Sequence, residues 1–280
     1  MREICAALIL VATGCLVGEN AGDAPGFTDP GGDPSDPGGG GDDDPGSINR
    51  PIPSNGLVLD AALARQLPTG ALGTRSAGGV VTLAPAVAAK FGTEAGKHLM
   101  KYVAICALPQ ADAIVVDGTR LDGYYNLAPA WATGSCGESC QRWMSACLLS
   151  HANANGTPVP LGLHADRPAD FAPAAELAQF TFQEAAYYGN LWRGELHACV
   201  GTGMLDQGID LQRFFNGRVC GLGGCDIVNS GPCKGLLGNS QGACDRIGVA
   251  LGDCHVGSAI ESTPRTSAVM AEVITVYLKP

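Results

Sequence analysis

Positive charge is scarce in this chain of 280 residues: 17 Lys and Arg stand against 27 Asp and Glu, a formal net charge of -10. No basic stripe runs along it, which argues against nucleic acid as a partner. Aromatic residues are also few, at 6%, whereas glycine occurs 40 times. The apolar run Ile4 to Ala12 is too short to cross a bilayer, and no second run follows it. No His-Glu-x-x-His and no phosphate loop occurs, which removes the common zinc proteases and the P-loop enzymes. Nothing in the sequence calls for a cofactor or a metal, and no internal repeat is visible.

What is present begins with an address. Met1-Arg2-Glu3 followed by the apolar run reads as a signal peptide over residues 1–14. It ends Val11-Ala12-Thr13-Gly14-Cys15, which resembles a bacterial lipobox. That resemblance implies cleavage before Cys15, lipid modification of its thiol, and a membrane partner reached through that anchor. Leu16 rather than aspartate follows, which in such lipoproteins implies export to the outer membrane. Ordinary secretory cleavage with an incidental Cys15 is the alternative.

Residues 15–50 read as a tether. Eight acids in 16–50 face only Arg50, among Gly and Pro, so almost nothing there can be buried. A flexible coil of that length spans about 30–35 Å. Residues 51–280 are nearly neutral, with 18 acids and 15 bases, and are long enough to form one globular domain with an ample core. The expected class is α+β, stapled by disulfides and loop-rich towards its C-terminus.

Local signals suggest a helix near Leu57 to Leu67 and another capped by Thr93 that carries Cys106 to its end, stopped by Pro109. Ala113 to Val116 with Asp117-Gly118 predicts a strand and a tight hairpin. Val159 to Leu163 reads as a short strand, Pro173 to Tyr188 as a helix, and Ala271 to Leu278 as the clearest strand, expected inside a sheet.

The densest stretch is Gly134-Ser135-Cys136-Gly137-Glu138-Ser139-Cys140-Gln141-Arg142-Trp143-Met144-Ser145-Ala146-Cys147-Leu148-Leu149-Ser150-His151. Cys140, Trp143, Met144, Cys147, Leu148 and His151 fall on one helical face, which must be buried. Ser135 or Ser139 would cap the helix. The segment Gly-Ser-Cys-Gly-Glu-Ser-Cys-Gln-Arg-Trp resembles the nucleophile segment of papain-like proteases, with one residue inserted and Gln141 where an aromatic belongs. The resemblance implies Cys140 as nucleophile. Its base would be His255, 115 residues on, or His197, but no asparagine follows His255. Cys136, Cys140, Cys147 and His151 lack a zinc-ligand spacing, so these cysteines read first as disulfide halves and His151 as a buried or capping residue. Glu184, placed beside aromatics, is the acid to watch, since with His197 or His151 it would perform acid and base work.

Twelve cysteines are present. With Cys5 removed and Cys15 lipidated, an even ten remain: Cys106, Cys136, Cys140, Cys147, Cys199, Cys220, Cys225, Cys233, Cys244 and Cys254. The parity suits five bridges. Connectivity stays open, save that Cys136 and Cys140 are not expected to bond within one unbroken helix. The whole resembles the cysteine-rich lipoproteins of diderm bacteria, which implies an address and no activity. Two functions therefore stand: an envelope-anchored binding or structural domain, taking a glycan or protein ligand, or a secreted hydrolase centred on Cys140 or Glu184. Tyr124, Tyr125 and Trp131 would supply the glycan-stacking platform.

Overall fold

The computed structural model describes residues 53–165, 178–205, 210–220, 227–234, 242–246, 248, 250–256 and 268–280. All belong to the unit Ile48–Pro280. The signal segment, Cys15, the tether and Cys225 lie outside the described residues.

The expected helix over Leu57 to Leu67 is a single turn, α1 (Ala61–Ala64), capped by Asp60 accepting from the Leu63 amide. Leu57 is unavailable to it because its backbone pairs with Ala152 beyond the central helix. β1 (Gly73–Arg75) and β2 (Val80–Leu83) follow. α2 (Pro85–Phe91) and α3 (Glu94–Ala107) then form the crossover that returns the chain as β3 (Ala113–Val116), parallel to β2. Thr93 caps α3, its hydroxyl accepting from the Gly96 amide at 3.1 Å. β4 (Thr119–Asp122) closes the expected hairpin on Asp117 and Gly118, both at positive φ (47° and 76°), the conformation a two-residue primed turn needs.

The central helix, α4 (Glu138–His151), carries its expected face inward: Met144, Cys147, Leu148 and His151 are buried, Cys140 and Trp143 half-buried. Its cap differs from expectation. Gly137 occupies that position without a side-chain bond, and Ser139 lies inside the first turn. α3 packs along α4, and the Cys106–Cys147 disulfide joins them.

A second sheet runs in the order β5 (Gly162–Ala165), β12 (Ile274–Leu278), β6 (Phe182–Asn190), β7 (Glu195–Val200), β8 (Val228–Pro232). β12 is antiparallel to both neighbours and lies inside the sheet. Here a sequence expectation fails: of the helix expected over Pro173 to Tyr188, residues 173–177 lie outside the described ones, and from Phe182 the chain is the nine-residue strand Phe182–Asn190. The reason is burial on both faces. Ala185 and Tyr187 join the larger core beneath α4, while Ala186 and Tyr188 join a smaller one on the opposite side, so no polar row is left to reveal the period of two.

The cysteine-rich end, expected to hold little regular structure, forms a third sheet, ordered β11 (Val269–Met270), β10 (Gly252–His255), β9 (Cys244–Arg246). Cys244 and Cys254 sit directly opposite in register and are bonded, so a covalent cross-strand link supports strands of only two to four residues. Cys199–Cys233 and Cys136–Cys140 are bonded as well, and Cys220 is disulfide-linked. The Cys136–Cys140 pair corrects the expectation that these two would not bond. Cys136 precedes the helix rather than occupying it, and the Cα atoms approach to 5.1 Å, within disulfide reach. The result is a disulfide-rich globular domain of mixed helix and sheet.

Candidate functional site

The pairing of β6 with β12 shifts register once. Val276 opposes Ala185 and Tyr277 opposes Gln183, which leaves Glu184 with no residue opposite it. An extra residue of this kind bends the strand and re-aims its side chain. The Glu184 carboxylate meets Arg218, whose Nε donates to Oε1 at 2.9 Å and whose Nη2 donates to Oε2 at 3.3 Å. Nη2 also lies 3.4 Å from the carbonyl of Ser150 near the end of α4.

Arg218 is held by the chain around it. It lies in the wide turn Asn216–Cys220, next to the disulfide-linked Cys220, and its carbonyl accepts from the Ala154 amide at 3.1 Å. The preceding Phe215 is fully buried edge-on against Tyr187, with ring centroids 6.1 Å apart. Burial opposes the charge on Arg218, but the Glu184 carboxylate, Tyr187 and the hydrogen bond to Glu184 together hold its pKa above the ordinary value. Burial, with Glu184 adding to it and Arg218 opposing, pushes the Tyr187 phenol well above its usual range. Among the described residues the Tyr187 hydroxyl, Arg218 Nη1 and His151 Nε2 have no hydrogen-bond partner.

His151 ends α4 inside this region. Its ring lies between Tyr102 and Tyr125, at 5.3 and 5.7 Å. Burial lowers its pKa to about 3; a hydrogen bond with the Ser54 carbonyl opposes that shift, and the cations of Arg218 and Lys101 reinforce it. The ring is therefore neutral near pH 7, and since a carbonyl can only accept, Nδ1 carries the proton donated to Ser54 at 3.2 Å.

The remaining candidates lie elsewhere. His197 stacks on Tyr188 in the smaller core region, with centroids 5.4 Å apart and planes 15° from parallel, and burial lowers its pKa to about 4. His255 Nε2 is 2.8 Å from Asp245 Oδ2, and its carbonyl accepts from the Tyr188 hydroxyl at 2.9 Å. Cys140 packs against the larger core in the first turn of α4, bonded to Cys136. A nucleophile is a thiolate, and this sulfur is occupied.

Tyr124, Tyr125 and Trp131 do not form an exposed platform. They are 9%, 2% and 1% exposed, and the Trp131 indole donates to the carbonyls of Pro68 and Gly70. Among the described residues two groups of potential metal ligands converge, Cys106, Cys147 and His151 and, separately, Cys199, Cys244 and Cys254. Their sulfurs are all consumed in disulfides.

Sequence reasoning missed Arg218 and Tyr187. An arginine in Asn216-Gly217-Arg218-Val219 reads as a surface charge, and nothing in that run signals its burial. It also passed over Gly238-Asn239-Ser240-Gln241-Gly242, which has the spacing of a serine-hydrolase nucleophile turn. Residues 238–241 lie outside the described ones, and the next element is the strand Cys244–Arg246 where that motif requires a helix.

Chemically, the Glu184–Arg218 cluster is closed and self-neutralised. The two side chains are 4% and 10% exposed, and both carboxylate oxygens are engaged by the guanidinium. Such a pair fixes the bulged strand against the end of α4. The chain matches no protein-family model, no curated protein and no solved structure.

Proposed function

We propose that the protein is a bacterial cell-envelope lipoprotein, lipidated on Cys15 and carried on the tether of residues 15–50. Residues 51–280 form a single α+β domain serving as a binding or structural module at the outer membrane, with a protein or glycan as the class of ligand. The observation that carries this reading is the disulfide set: each of the nine described cysteines is bonded. Disulfides persist in oxidising compartments, as in exported proteins. Among the described residues no helix is long and apolar enough to cross a membrane.

The hydrolase alternative is weaker on the same ground. Cys140 has no thiolate while its bond to Cys136 is closed, and Glu184 is committed to Arg218.

The test is expression of the full chain in a diderm host fed an alkyne-tagged palmitate, alongside Cys15→Ser. The wild type should carry the tag and sediment with outer membranes, and the variant should lose both properties. A tagless, soluble wild type would overturn the lipoprotein reading. Rapid alkylation of Cys140 without prior reduction would restore the thiol hydrolase.

A further inference from the structure

Among the bridges whose two halves are both described, Cys136–Cys140 differs from the others in three respects. The first is access. In Cys106–Cys147, Cys199–Cys233 and Cys244–Cys254 both halves are buried, whereas Cys140 is half-buried and the surrounding Ser135, Gly137, Glu138 and Ser139 are exposed. The second is span. The bond links residues four apart, against 41, 34 and 10 for the other three, so of these four it constrains the unfolded chain least.

The third is electrostatic. Cys140 lies in the first turn of the 14-residue helix α4, whose cap Gly137 supplies no side-chain acceptor for the free amides. The one acid in that turn, Glu138, is paired with Arg142 at 2.6 Å and Arg193 at 3.2 Å, and Arg142 also meets Glu272, from the segment before β12, at 3.7 Å. A position in the first turn of a helix favours a thiolate over a thiol, and the arginines that neutralise Glu138 remove the nearest opposing charge. Cys136 is meanwhile pinned from both sides: its amide donates to the Thr69 carbonyl at 2.8 Å, and its carbonyl accepts from Gln141 Nε2 at 3.0 Å. Once reduced, the two sulfurs would stay within reach of each other.

We propose that Cys136–Cys140 is a site of reversible thiol–disulfide exchange with dithiols, built onto a domain whose remaining described disulfides are structural. This goes beyond the binding or structural role above. In the exchange, one thiolate of an external dithiol attacks the accessible Cys140 sulfur. A mixed disulfide forms and the Cys136 thiolate is expelled and takes up a proton. The reagent's second thiolate then attacks the reagent's own sulfur in that mixed disulfide and releases Cys140 as a thiolate. Two electrons pass from the dithiol to the protein, the dithiol becoming a disulfide. A leaving thiolate that is already stabilised departs faster.

The experiment is graded reduction of the full chain with dithiothreitol, acid quench, alkylation with N-ethylmaleimide and peptide mapping, with circular dichroism recorded at each step. Cys136 and Cys140 should be labelled together at dithiol ratios at least tenfold below those that open the other pairs, with the spectrum unchanged. Opening of these two at the same ratio as Cys106–Cys147, or after Cys220, overturns the proposal. A second measurement uses Cys136→Ala, which leaves Cys140 as a single thiol. The midpoint of its alkylation rate against pH should lie below the ordinary thiol value of about 8.5, and adding Arg142→Ala should raise it. A midpoint at or above the ordinary value overturns the electrostatic part, and if Cys136→Ala does not fold, the graded reduction decides alone.

Discussion

Arg218 and Glu184 are joined by two contacts, Nε to Oε1 at 2.9 Å and Nη2 to Oε2 at 3.3 Å, with side chains 10% and 4% exposed. The pair ties the bulge of β6 to the turn that follows Phe215. Two charges removed from water are tolerated only together.

Removing one partner should therefore cost more than removing both. Glu184→Leu or Arg218→Met alone is expected to destabilise the domain by roughly 3–5 kcal/mol, the range for an uncompensated buried charge. The double variant Glu184→Leu with Arg218→Met should recover much of that loss. Urea unfolding of the four proteins checks this, and additive losses would refute the coupling.

Acid should weaken the fold before most carboxylates titrate. Folded His151 and His197 have pKa values of about 3 and about 4, below the ~6.5 of an unfolded histidine. The unfolded chain thus binds protons that the folded chain refuses. Their contribution to stability is fully present above ~6.5 and is lost as pH falls towards 4 for both rings, and towards 3 for His151 alone. Burial moves His164 in the same direction. The steepest slope is about 1.4 kcal/mol per pH unit for each ring. His151→Phe should flatten the acid limb of the urea midpoint plotted against pH, and an unchanged limb would count against this account.

The bridges should differ in what their loss costs. Replacing Cys106 and Cys147 with alanine opens a link between residues 41 apart, and replacing Cys136 and Cys140 opens one of four. The chain-entropy relation gives about 4 kcal/mol for the first and about 2 kcal/mol for the second. Guanidinium midpoints compared at equal slope measure both.

The turn between β3 and β4 offers a conformational test with no packing involved. Gly118 has φ 76°, and a Cβ added there would meet nothing within 4 Å. Gly118→Ala should then cost only the left-handed backbone penalty, about 1–2 kcal/mol. Gly70, where an added Cβ also meets nothing and φ is not in the left-handed range, should accept alanine within about 0.5 kcal/mol. Equal effects at the two positions would contradict this.

Much of the architecture was legible where the signal is local. Thr93, Asp117-Gly118 and the Cys140 to His151 face each act within a few residues, and each element lies where that chemistry put it. The strand at 182–190 was not legible, because its two faces pack into two different cores and its burial erases the pattern that distinguishes strand from helix. The Cys136–Cys140 bond was missed through a helix boundary. Starting the helix at Glu138 frees Cys136 to fold back, and a start two or three residues earlier would have forbidden the bond.

By itself the sequence determined composition, the acidic low-complexity stretch, the local turn and cap signals, and the number and spacing of the cysteines. All of these depend on neighbours along the chain or on counts. Tertiary structure alone decided which cysteines meet, and that Arg218, 34 residues from Glu184, becomes its counter-charge. It also decided that Tyr124, Tyr125 and Trp131 fill the core instead of facing a ligand. Those outcomes depend on which faces of distant segments are pressed together, and the free energy of burying a charge or a ring is set by what surrounds it in space.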